Sequence, residues 1–74
     1  MWELLIRGKH KGNATDVQVT PSVVPGVVDV TFFSSVPVFG IATMKLHNEK
    51  TGEVFDLAVK EITNNRVHGQ AKTS

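Results

Sequence analysis

The stretch from Ala42 to Ala71 constrains the fold more than any other part of the chain. Two turn signals divide it. The first, Glu49-Lys50-Thr51-Gly52, ends on a glycine free to take positive φ; the second, Asn64-Asn65, tolerates left-handed backbone and suits a two-residue type I′ turn. A four-residue hairpin loop at 49–52 brings Leu46 opposite Phe55, Met44 opposite Leu57 and Ala42 opposite Val59. On the other face Lys45 falls opposite Asp56, a favourable cross-strand pair. The competing reading of 53–63 is a helix, since Phe55, Ala58, Val59 and Ile62 follow the i, i+3, i+4, i+7 pattern. That helix leaves Leu57 on its polar side and is built from the poor helix formers Val54, Val59 and Thr63. One strand register accounts for four pairs, so strands are expected.

The second hairpin adds a condition. A turn at Asn64-Asn65 sets Ile62 opposite Val67, yet unbroken alternation would put Ile62 on the wrong face from Phe55, Leu57 and Val59. One extra residue near Lys60-Glu61, a β-bulge, restores a single apolar face. Val59 then meets Gly69 and Leu57 meets Ala71; small residues opposite large ones fit a bend or a closing sheet.

The N-terminal half repeats the period of two. Trp2, Leu4 and Ile6 share one face, as do Val17 and Val19, and then Val28, Val30 and Phe32. Pro25-Gly26 marks a turn between the second and third segments, and Pro21 blocks ladder bonding just before it. The stretch Val27–Phe33 carries Asp29 as its lone charge and is expected at the centre of a sheet, because on an edge it would invite dimerisation. Pro37 and Gly40 interrupt "SSVPVFGI", which reads as a connection. The whole is an all-β domain over 1–74, with residues 73–74 frayed. It is expected to be a small antiparallel barrel, SH3-like in architecture, or a compact two-layer β-sandwich, of about five to six short strands. The order of the N-terminal strands is left open.

Composition narrows function by exclusion. A chain of 74 residues without cysteine has no disulfide and no thiolate for zinc, which fits the cytoplasm. No segment is long and apolar enough for a membrane span. His10, His47 and His68 lack ligand spacing and read as solvated imidazoles. No metal, cofactor or enzymatic activity is expected. A net charge of +1 weighs against a dedicated nucleic-acid binder.

Two short stretches remain as candidate sites. In "RGKHKG", Arg7, Lys9, His10 and Lys11 form a basic cluster between glycines. It lacks the lysine and hydroxyl of a phosphate-binding P-loop and reads first as a solvated connection. It is also a candidate phosphate or nucleic-acid contact, with Lys72 as a further cation and Phe33 as the one stacking platform. In "VPVFG", Val36, Val38, Phe39 and Ile41 are apolar where a surface loop is usually polar. They either cover an open end of the barrel or form a patch for a protein partner or a second copy. The first function expected is therefore a non-enzymatic interaction or assembly module using this loop or a strand edge. The alternative is a small nucleic-acid-binding barrel using residues 7–11.

Overall fold

Alternation of apolar and polar residues, punctuated by glycine and asparagine, yields six strands and no helix in the computed structural model, which describes residues 1–73. They are β1 (Trp2–Ile6), β2 (Lys9–Pro21), β3 (Val27–Ser34), β4 (Thr43–Asn48), β5 (Val54–Thr63) and β6 (Arg66–Lys72). All neighbours are antiparallel, and the sheet closes in the order β1-β2-β3-β6-β5-β4. Of the two architectures expected from the sequence, the barrel is the one found.

Both C-terminal hairpins take the expected register. Leu46 meets Phe55, Met44 meets Leu57, and Lys45 meets Asp56 with Nζ 3.6 Å from the carboxylate. The amide of Val59 donates to the Ala42 carbonyl at 2.9 Å. Across β5 and β6, Val59 faces Gly69 and Ile62 faces Val67, with the register shifting at Lys60. A Cβ on Gly69 would lie 3.3 Å from the Cβ of Leu57, so the glycine is what lets the two strands close tightly. The Asn64-Asn65 turn differs from expectation: only Asn64 has positive φ (55°), whereas a type I′ turn needs it at both positions.

Two long strands bend, so that each pairs with a different neighbour along its two halves. In β2, residues 9–14 pair with β1 and residues 14–21 with β3. In β5, residues 54–58 pair with β4 and residues 58–63 with β6. Extra residues interrupt the ladders at Lys60 in β5 and, in β2, at Lys11 and at Asp16-Val17, where Asp16 takes φ 53°. Neither bulge in β2 was expected; Val17 and Val19 alternate through the one at Asp16-Val17, with Val17 packed on the core and Val19 left exposed. Strand β3 is paired on both sides, as its apolar sequence requires.

"RGKHKG" is not a loop. Arg7 (φ 55°) and Gly8 (φ 78°) form a two-residue turn with positive φ at both positions, and β2 begins at Lys9. At the other end of the chain, the amide of Thr73 donates to the Gly26 carbonyl at 2.8 Å, so Thr73 is tied down where fraying was expected. Ser74 lies outside the described residues.

The strand order explains the apolar connection. Strand β3 lies between β2 and β6, whereas β4 lies between β1 and β5. The chain from Ser34 to Thr43 must therefore cross the mouth of the barrel. Val38 completes the core at 1% exposure, beside Leu4, Val30, Phe32, Leu46 and Val67. Antiparallel pairing places the turns 7–8 and 64–65 at this same end. Met1, the 22–26 turn, the 49–52 loop and Thr73 lie at the far end.

Candidate functional site

The crossing begins with two serines that fasten it. Ser34 is buried; its hydroxyl donates to the Val36 carbonyl at 2.6 Å and accepts from the Val36 amide at 3.2 Å. The Ser35 amide donates to the Asn13 carbonyl, and the Ser35 hydroxyl accepts from the Asn13 amide, both at 2.9 Å. Gly12 leaves room for this contact. A Cβ there would lie 2.6 Å from the Ser35 Oγ and 3.0 Å from a Val36 methyl, closer than side chains approach.

The crossing then turns at Val38–Ile41, where the Ile41 amide donates to the Val38 carbonyl at 3.1 Å and Gly40 takes φ 84°. This turn separates neighbours sharply. Val38 goes into the core, Val36 and Ile41 are half-buried, and Phe39 projects outward at 87% exposure. The four apolar residues singled out in the sequence thus divide. One seals the barrel, two line a groove and one meets solvent.

That groove brings the two candidate stretches together. It is lined by Val36, Pro37 and Ile41 from the crossing and by Ile6, Arg7, Lys9 and Lys11 from β1, the 7–8 turn and β2. Lys9, opposite Ile6, and Lys11, the extra residue of a bulge between the Leu4–Gly12 and Leu5–His10 pairs, both line the groove, whereas His10 stands opposite Leu5. His10 has its Nε2 4.0 Å from Glu3 and is not part of the groove. Lys72 is not part of it either: it ends β6 at the far end, beside Val54, Asp56, Ala58 and Gln70. Among the described residues, no carboxylate lies within 4 Å of Arg7, Lys9 or Lys11. The acidic pair Glu49 and Glu53 flanks the far-end hairpin.

Arg7 adds a sign of local conflict. Its positive φ suits glycine or asparagine, and a long side chain there carries a conformational cost of about 1 kcal/mol. The turn accepts that cost while holding a guanidinium at the mouth of the groove.

A second groove is lined by Phe33, Phe39, Thr63, Asn64, Asn65 and Arg66. The Arg66 guanidinium sits 5.7 Å from the centre of the Phe33 ring, a cation–π contact between cross-strand neighbours. Phe33 was legible as a candidate platform and Phe39 as a candidate contact, but Arg66 was not, nor was the meeting of the three. Arg66 meets Phe33 through the pairing of β3 with β6, and Phe39 joins them through the path of the crossing; no local pattern encodes either.

No protein-family model, curated protein or solved structure matches this chain. The site's chemistry therefore rests on its own geometry.

The histidines stay partly exposed, as the sequence suggests, and each also stands beside a carboxylate. His47 Nδ1 lies 2.9 Å from Glu3, and His68 Nε2 hydrogen-bonds Asp29 at 3.0 Å. The hydrogen bond from His68, then that from Gln70, holds the Asp29 carboxyl below its usual 3.8; partial burial opposes the shift, and the charge of His68 adds to it. Among the described residues no group of three or more such side chains is arranged to hold a metal ion. Among the described residues no helix is long and apolar enough to cross a membrane.

Proposed function

We propose that the chain is a non-enzymatic binding module, acting in the cytoplasm, that takes an anionic partner at the end of the barrel crossed by residues 35–42. One observation carries the reading. Arg7, Lys9 and Lys11, with no carboxylate beside them, line the same groove as Val36, Pro37 and Ile41. Three like charges on one rim repel each other, and an anion lying among them relieves that repulsion. The half-buried apolar side chains supply contact area and lower the local dielectric, which strengthens the charge pairing. A partner that is anionic and also offers apolar or flat surface fits both sets of side chains.

A heparin fragment titrated at low salt and followed by amide chemical shifts tests the proposal. Shifts are expected at Gly8, Lys9, Lys11 and Ile41 and not at Asn48–Glu53, and Arg7→Ala/Lys9→Ala/Lys11→Ala abolishes them. Absence of binding sinks it. A dimer in sedimentation that Phe39→Ser dissolves assigns this end to self-association instead, the reading favoured by the 87% exposure of Phe39.

A further inference from the structure

The cations account for an anion, but not for the second groove. Phe39 is held out in solvent by the turn at Gly40, and Phe33 keeps 41% of its surface exposed under the Arg66 guanidinium. Both rings border the same depression, beside the Asn64-Asn65 turn. A sulfated or carboxylated chain uses the cations and leaves these rings idle. The residues of this groove match flat heterocycles instead. Phenyl faces and a guanidinium plane stack on them, and asparagine amides both donate to and accept from their edges.

The crossing contributes Val36, Pro37 and Ile41 to the groove that holds Arg7, Lys9 and Lys11, and Phe39 to the groove that holds Phe33 and Arg66. Single-stranded nucleic acid is the polymer that alternates an anion with an exposed flat ring along its length. We infer that this end of the barrel binds single-stranded nucleic acid, its phosphates along Arg7, Lys9 and Lys11 and its bases against Phe39 and the Phe33–Arg66 pair. The inference rests on the anionic-partner reading above and names the partner. A duplex is disfavoured, because its base faces are stacked internally and the rings would have nothing to meet. The molecule measures 31 × 27 × 21 Å, so one end accommodates about four nucleotides, at the short end of the range for small barrels.

Fluorescence anisotropy with a short oligothymidylate tests this. The comparison probes are an abasic deoxyribose-phosphate strand of equal length, a duplex, a heparin fragment and an acidic peptide. The oligothymidylate is expected to bind tightest. Phe39→Ala weakens it at least about fivefold without changing the salt dependence. The Arg7→Ala/Lys9→Ala/Lys11→Ala variant lowers the slope of log affinity against log salt by about two. Thermal melts verify that both variants remain folded, as the exposure of Phe39 and the cations leads one to expect. If heparin or the abasic strand binds as well as the oligothymidylate, and Phe39→Ala changes nothing, the inference is overturned and the anionic-partner reading stands. Equal binding of the duplex, or tighter binding of the acidic peptide, overturns it likewise. Failure of every polyanion to bind removes both.

Discussion

At the end of the barrel that carries Met1, closure comes from side chains that belong to the strands. Trp2 on β1 stacks on Phe55 of β5, with ring centres 5.6 Å apart and planes 21° from parallel. The adjoining 49–52 loop is knit to its own base: the Asn48 side chain accepts from the amides of Lys50 and Thr51, and Gly52 donates to the Asn48 carbonyl. At the opposite end the strands contribute Ile6, and the gap is covered by backbone travelling from β3 to β4. Strand side chains that seal an opening are half-buried by the act of sealing, as Trp2 and Phe55 are, although the 22–26 turn beyond them leaves Val23 fully exposed. A crossing segment has residues facing both ways, so it puts Val38 inside and Phe39 outside in consecutive positions. The second solution leaves a surface whose composition is free of packing constraints, and the candidate site lies there.

Three substitutions probe this contrast. The largest effect belongs to Trp2→Ala, which removes half of the stacked closure and is expected to cost about 2–4 kcal/mol in denaturant unfolding. A loss below 1 kcal/mol would mean that the far end does not depend on its aromatic pair. Gly12→Val comes next, at about 1–3 kcal/mol, because the added carbons collide with Ser35 and Val36. Amide shifts should spread along 35–41 and spare 48–53; shifts confined to residue 12 would show that the crossing is not seated on it. Phe39→Ala is expected to change stability by no more than about 0.5 kcal/mol. A larger destabilisation would place Phe39 among the sealing residues and erase the distinction between the ends.

The hairpin pairings were legible because each is set by residues close in sequence. Gly52 fixes a turn, and the apolar pattern on either side of it permits one register. The Lys60 bulge was legible as well, since Ile62 and Phe55 could not otherwise share a face. The bulge at Asp16-Val17 left no such contradiction, because Val17 and Val19 alternate whether or not Asp16 adopts positive φ. Likewise "RGKHKG" gives equal support to a long loop and to a turn at its first two residues. The site was legible only as fragments. Basic residues at 7–11 and apolar residues at 36–41 each stood out, but their sharing one groove depends on β3 and β4 lying on opposite sides of the barrel. That is a property of strand order. The histidine–carboxylate contacts, such as Asp29 with His68, depend on the same long-range pairing.

The strand order also has a kinetic consequence. Strands β1 to β3 and β4 to β6 form two meanders, each joined by short turns and able to assemble locally. The barrel exists only once Leu4 has found Leu46 and Phe32 has found Val67, partners far apart along the chain. Such closure carries a large loop entropy and folds on the order of milliseconds to seconds, slowly for so short a chain. Until the meanders meet, the segment joining them has no mouth to cross, so the end covered by residues 35–42 is the last part of the molecule to acquire its shape.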